Sequence, residues 1–431
     1  MSQPPGSLAV GSLGQGRRRQ GPVAALDVGG GKVTCLVGAP RRHGEFDLLG
    51  VGHRVAQGLR GGEIVDFQAV QASILAAVQE AEQAAGVTLR NVIVVTAVGR
   101  PVSSTLELDV RLSGRAVAGQ DITRLLVAAR ARAADPERVV LHVLPGAIAI
   151  DGRPTMRDPR GMRAGRLGLN AIVVHAAAAP LRQLIGCVES CHLKVENVVA
   201  SAYATAYACL TREEVEFGTV LLDLGADVTG LAVFGDGRVF GLGAVPLGGA
   251  HVTRDLAIGL RTTRVHAERL KTLYGSVRSC PSDERQKIVV PRIGDGGDVE
   301  RGEESRARLT DVIRPRLQET LGLVQDQIRT MMALPNLTTR SHLVLAGGAS
   351  DLDGLSDLAA DLFDMDARSG RPACLWRADG QAEDRAGFAA AAGALALSAV
   401  DDGGLGFLDQ SGSALAPARW SKIGQWWREM F

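Results

Sequence analysis

The sequence lacks an excess of charge of either sign. Its 48 basic and 47 acidic side chains leave a formal net charge of +1, which gives no argument for nucleic acid as a partner. It has no stretch approaching the roughly 18 uninterrupted apolar residues of a membrane span. The arginines at 17–19 have no apolar segment on either side, so a signal peptide is not expected. The six cysteines, at 35, 187, 191, 209, 280 and 374, include no CxxC pair. That spacing argues against a zinc or redox site and for reduced, mostly buried thiols of a cytoplasmic protein. Cys187 and Cys191 are one helical turn apart, as expected for a shared helix face. There is no GxxxxGK[ST] phosphate loop either.

What is present is length and apolar content: 431 residues, 46% of them apolar, enough for two to three packed domains. The Gly/Pro/Ser-rich residues 1–21 read as a disordered leader. VAALDVGGGKVTCLVGA (23–39) reads as strand, turn, strand. A helix is expected at 67–85, with apolar residues at 67, 70, 74, 75 and 78 and Gly86 as its stop. A strand at 91–98 follows, then a helix at 121–133 with Asp121 as N-cap. Strands are expected at 139–151 and 170–178, and helices at 180–193 and 200–210. The opening pattern then returns as TVLLDLGADVTGLAVFGDG (219–237), with Asp27 and Asp223 lying 196 residues apart. Two such hairpins predict a duplicated α/β core. The polar stretch 276–308 reads as loops of a small inserted subdomain. A helix at 309–334, a strand at 342–350 and linker segments at 401–406 and 409–417 complete the chain.

Three glycine turns carry the chemistry. A turn that approaches a polyphosphate needs backbone N–H groups with no Cβ in the way. Gly29, Gly30 and Gly31 meet that need, Lys32 adds a point charge, and Asp27 is placed to hold the water shell of Mg²⁺. A tight hairpin with no ligand would read the same way. In the second turn Asp223 and Gly225 match the first, Ala226 and Asp227 follow, and Thr229 offers a hydroxyl to phosphate. In the third, LAGGASDLDGL, Gly347, Gly348 and Ala349 are small enough to admit an adenine. A strand-to-helix turn would also use glycine there.

In this order the three turns resemble the phosphate-1, phosphate-2 and adenosine motifs of the actin, Hsp70 and sugar-kinase ATPase superfamily. AERLKTLYGS (267–276) is similar to its nucleoside-contacting helix, which implies ribose and adenine contacts for Glu268 and Lys271. An ordinary i,i+3 ion pair is the alternative. Within the superfamily, LLGVGHRVAQGLRGGEIVDFQAVQASI (48–74), LHVLPGAIAIDGRPTMRDPRGMRAGRL (141–167) and VPLGGAHVTRDLAIGLRTTRVHAERLKTLYG (245–275) resemble the FtsA family of bacterial cell-division proteins over about residues 23–400 and the C-terminal tail.

That resemblance implies an actin-like ATPase fold, with two duplicated RNase H-like domains flanking a nucleotide cleft. The expected organisation is subdomain 1A at 22–90 and 172–208, an inserted subdomain 1C at 91–171, 2A at 209–260 and 340–400, and 2B at 261–339. It also implies ATP and Mg²⁺ as ligands, and at most weak ATPase activity. Expected partners are FtsZ, whose acidic C-terminal peptide would bind 2B near Arg306, Arg308, Arg314 and Arg316, further copies of the chain in a filament, and later division proteins at 1C. The first motif lacks the usual hydroxyl residue before Lys32. The second reads GADVTG where the family reads GGGTTD, so Asp227 adds a negative charge and Gly230 replaces an acid. The helix after the 1C region reads VVASAYATA, without the usual proline-containing motif.

The tail, ARWSKIGQWWREMF, holds three of the four tryptophans within the last twelve residues. On a helical wheel Trp420, Ile423, Trp427, Met430 and Phe431 share one arc, Trp426 borders it, and Lys422 and Arg428 fall opposite. Such a helix, after a linker at 401–417, would lie in the plane of an anionic membrane over 418–431. FtsA proteins end in a similar helix, implying a place on the inner face of the cytoplasmic membrane. A helix docking on the protein's own core is the alternative. Two other classes stay open: a small-molecule kinase of the superfamily, for which no motif of a catalytic aspartate base is found, and an actin-like pilus-assembly adaptor, which would not need the tail.

Overall fold

Three consecutive strands begin the architecture. The computed structural model describes residues 21–41, 45–155, 158–293, 299–331 and 342–399; the expected leader, linker and C-terminal helix lie outside them. β1 (Val23–Val28) pairs antiparallel with β2 (Lys32–Pro40), which pairs with β3 (Phe46–Val55). β1 is buried along almost its whole length, as in a strand covered on both faces. β4 (Leu59–Arg60) and β5 (Glu63–Ile64) form a small hairpin. Its turn, Gly61–Gly62, has φ of 61° and 80°, the left-handed pair that two-residue hairpins favour.

α1 (Phe67–Ala85) opens on Asp66, whose carboxylate accepts the Ala69 N–H at 3.1 Å, and stops at left-handed Gly86. β6 (Asn91–Thr96) then runs parallel to β1.

The chain next leaves this sheet. β7 (Val102–Arg111), α2 (Gly119–Arg132), β8 (Arg138–Ile150), β9 (Arg153–Thr155) and β10 (Arg166–Ala177) build a separate four-stranded sheet, ordered β7-β10-β8-β9, with a core of its own around Leu125, Ile148 and Leu167. Asp121 is not the N-cap of α2. The helix starts two residues earlier, after Ala118, and Asp121 reaches back from the first turn to accept the Ala118 N–H at 2.9 Å while pairing with Arg115.

α3 (Ala178–Glu189) and β11 (Lys194–Ala200) return the chain to the first sheet. α3 ends before Cys191, whose thiol still donates to the Cys187 carbonyl across that turn.

α4 (Ser201–Cys209) and α5 (Arg212–Phe217) lead into the second half. There the topology repeats. β12 (Thr219–Leu224) is antiparallel to β13 (Thr229–Gly235), which pairs with β14 (Arg238–Val245). α6 (Gly249–Gly259) and α7 (Arg264–Tyr274) follow. The polar stretch expected to be loops contains a hairpin, β15 (Lys287–Ile293) with β16 (Val299–Ser305). After α8 (Arg306–Met331), β17 (His342–Ala346) runs parallel to β12, as β6 does to β1. α9 (Leu355–Phe363) and β18 (Ala367–Ser369) complete a sheet ordered β14-β13-β12-β17-β18. β19 (Leu375–Trp376) pairs with β3, and α10 (Ala389–Ala399) packs on the first sheet.

α4 lies between the halves, touching β6 and β11 of one sheet and β12 and β13 of the other. Alanine fills every second position of α4, and Gly393 of α10 lets the two helix backbones nearly touch: a Cβ there would overlap the Ala204 carbonyl. At the N-terminus of α4, His142 from β8 accepts the Ala200 N–H through Nε2 at 3.1 Å and meets the Tyr203 ring at a tilt of 48°. Burial pushes the His142 pKa down to about 3, so the imidazole stays a neutral acceptor.

Not every helical glycine has such a reason. Gly322 sits inside α8 with open space around its α-carbon. Gly322→Ala is expected to raise stability by about 0.5–1 kcal/mol through reduced backbone freedom in the unfolded chain, measurable as a higher urea midpoint.

Candidate functional site

The two repeated hairpins place their turns against one another. Asp27 at the end of β1 faces Thr34 across its ladder, and Asp223 at the end of β12 faces Gly230. The first turn is closed by Gly29 N–H donating to the Lys32 carbonyl at 3.1 Å, the second by Gly225 N–H donating to the Val228 carbonyl at 3.1 Å. A Cβ on Gly31 would stand 2.9 Å from the Ala226 Cβ, and one on Gly30 would overlap the Asp227 carboxylate. Glycine is needed here because the opposite loop comes too close for a side chain.

The carboxylates of Asp27 and Asp223 are close enough to repel. Burial first, and the Asp223 charge second, raise the Asp27 pKa to about 7, against a smaller downward pull from Lys32. Burial also holds the Asp223 pKa above its ordinary value. Two such groups at the mouth of glycine loops fit a hydrated divalent cation, whose charge would remove their mutual repulsion. The residues present therefore suit a magnesium–polyphosphate ligand.

Lys32 does not extend freely between the loops. Its ammonium rests against Gly387 and lies 5.2 Å from the centre of the Phe388 ring, which the Arg385 guanidinium also approaches at 4.1 Å. Burial lowers its pKa, with the Asp27 and Asp223 charges opposing. Thr229 departs from its expected role. It is fully buried, and its hydroxyl already donates to the Leu247 carbonyl at 2.7 Å, so its one proton ties β13 to the chain before α6.

The third turn joins the second. Gly347 has φ 87°, and a Cβ there would stand 2.7 Å from Asp223 Oδ1; Ala349 N–H donates to the Leu224 carbonyl at 3.0 Å. Gly348 has open space around it. Glu268 and Lys271 reach the same place from α7. Lys271 Nζ donates to Glu268 at 2.7 Å, to the Thr253 hydroxyl at 2.9 Å and to the Gly249 carbonyl at 3.1 Å. Its side chain is 14% exposed against 54% for Glu268, so the lysine end of this i,i+3 pair is enclosed and the carboxylate end faces outward. A Cβ on Gly249 would lie 3.1 Å from the Ala349 Cβ and 3.5 Å from Lys271 Nζ, which brings the expected adenosine residues to one spot.

Two participants escaped the sequence reading. Thr253 bonds both Lys271 and Glu268; it was legible only as part of the GGAHVTRD pattern. Gly61, at the tip of the β4–β5 hairpin, donates its N–H to Asp227 Oδ2 at 2.9 Å across the cleft. Its local signal was the Gly-Gly turn, but nothing in sequence shows what that turn meets. Trp420, Ile423, Trp426, Trp427, Met430, Phe431, Lys422 and Arg428 lie outside the described residues. Among the described residues no helix is long and apolar enough to cross a membrane.

Comparison with known proteins adds an independent measure. A family model described as "Cell division protein FtsA" matches residues 220–393, and one described as "SHS2 domain inserted in FTSA" matches 99–175. A cell division protein FtsA from Agrobacterium fabrum is 35% identical over 429 residues, 96% of each chain. One from Pseudomonas aeruginosa is 33% identical over 350 residues, 81% of this chain and 83% of that protein. Among solved structures, the PilM–PilN type IV pilus biogenesis complex matches with a TM-score of 0.61 at 18% identity, covering 88% of this chain and 99% of that one. At that identity the likeness is one of fold alone.

Proposed function

The chain belongs to the FtsA family of cell division proteins and has its actin-like ATPase fold with the inserted domain, and from that premise we propose that it binds Mg²⁺–ATP between its halves, polymerises on the inner face of the cytoplasmic membrane and anchors FtsZ there. The observation that carries the nucleotide reading is the meeting of the two glycine turns beside the Asp27–Asp223 pair. Gly29, Gly30, Gly31, Gly225 and Ala226 would hold the phosphates, with Lys32 offsetting their charge once drawn from Phe388. Asp27 and Asp223 would hold the water shell of Mg²⁺, which when bound neutralises phosphate charge. Glu268, Lys271, Gly347, Gly348 and Ala349 would take the nucleoside.

The subdomain division follows the same reading: 1A at 22–90 and 172–208, 1C at 91–171, 2A at 209–260 and 340–400, and 2B at 261–339. The SHS2 match overlaps most of the proposed 1C, where later division proteins would bind. FtsZ's acidic C-terminal peptide would dock on 2B. There Arg316 is already paired with Asp255 and Glu319, and Arg306 lies near Asp283 and Asp353. Such a peptide would have to share or replace those partners.

The tail supplies the membrane contact. A single short amphipathic helix binds weakly, since each large apolar side chain contributes about 1.5–3 kcal/mol at most before the cost of ordering the peptide. A filament presenting many tails gains effective concentration. Co-sedimentation with anionic lipid vesicles should therefore pellet the full chain, more so with Mg²⁺–ATP, and leave a version ending at Pro417 in solution. Equal pelleting of the two would sink the membrane-anchor reading.

A further inference from the structure

Asp227 is the one acidic side chain inserted into the second glycine turn, and it does not point to bulk solvent. Its Oδ2 accepts the Gly61 N–H at 2.9 Å and covers Gly30, where a Cβ would collide with the carboxylate. It thus reaches from the second half of the molecule to two separate loops of the first. The neighbouring Val228 is buried, and the position of a Cβ on Gly62 lies 3.6 Å from its Cγ2.

We propose that Asp227 is a built-in anion that competes with the terminal phosphate of a nucleotide, making this chain discriminate against nucleoside triphosphate relative to diphosphate. The proposal rests on the cleft being a nucleotide site. A phosphate chain gripped by both glycine turns would have to part Gly30 from the Asp227 carboxylate that now covers it. The outermost phosphate, which carries the most negative charge, then meets a carboxylate that already holds a backbone donor on the facing hairpin. Either the carboxylate swings away and gives up the Gly61 N–H, or two like charges share one space. A diphosphate leaves the outer position to Asp227. The glycine that the family's usual GGGTTD turn places at this position would impose no such competition.

The test uses the full chain with Mg²⁺ and compares Asp227→Asn and Asp227→Ala with the parent protein. Asn keeps an acceptor for the Gly61 N–H and loses the charge; Ala loses both. Dissociation constants for AMPPNP, as the triphosphate probe, and for ADP are measured by titration calorimetry. The ratio of AMPPNP affinity to ADP affinity is expected to rise by about tenfold or more in both variants. An unchanged ratio overturns the proposal and leaves the nucleotide reading intact. A falling ratio also overturns it, because the carboxylate would then be assisting the metal-bound triphosphate. Failure of all three proteins to bind either probe overturns both the proposal and the nucleotide reading.

Discussion

Asp27→Asn should make the metal-free protein more stable above pH 7 while removing its stabilisation by Mg²⁺–ATP. The Asp27 pKa is raised to about 7 by burial and by Asp223. A carboxyl whose folded-state pKa lies above its unfolded value favours the fold when protonated. Its contribution is whole below about pH 4 and is lost as pH rises through 7. At pH 8 Asp27 is mostly ionised in its buried place beside Asp223, and a neutral amide there removes the cost of holding that charge. The gain should be about 2 kcal/mol after allowing for solvent that reaches the cleft, fall to well under half of that at pH 5 and vanish below about pH 4. Thermal unfolding in EDTA at the two pH values reads this directly. The same melts with Mg²⁺–ATP should show a larger shift for the parent protein at pH 8 than at pH 6, since a cation competes with the proton for the pair. A parent shift that does not change with pH would count against a metal role for Asp27.

Gly393→Val should cost about 3 kcal/mol or more, among the largest effects of any single change in the chain. The new side chain meets the Ala204 carbonyl, which is backbone and cannot rotate away, so α10 must lift from α4. Urea denaturation would measure it, with Gly322→Ala as the opposite control on an open helix face. A loss under 1 kcal/mol would mean that the two helices can separate without disturbing the cores they join.

These two sites show what was legible from residues alone. Both hairpins, α1 and the strand before the third turn could be read, because apolar runs broken by glycine or ending at a capping residue are local signals. α10 was not identified: AAAAGALALSA is buried all round, so it has no polar face to mark its period. β15 and β16 read as loops because their sequence is polar and interrupted by glycines, yet a hairpin packed by α7 and α8 needs only one covered side. α2 begins before the position its sequence suggests because Asp121 can satisfy an amino-terminal donor from within the first turn as well as from before it. At the site, the glycines and acids were legible as a pattern. The use of Thr229 inside the sheet, the seat of Lys32 on Phe388 and the bond from Gly61 to Asp227 depend on residues far apart in the chain.

α4 touches both sheets with four alanines and one large, fully buried side chain, Tyr203, and its start is tied to the inserted sheet by His142, whose ring meets Tyr203. A shaft keyed by that ring cannot slip past its neighbours one shallow contact at a time, so turning it must take the tyrosine and its histidine partner along. The inserted sheet, fastened to that shaft, would be carried round with it. Torque applied at the cleft could therefore be felt at a surface well removed from it, with α4 as the axle and the inserted unit as the arm.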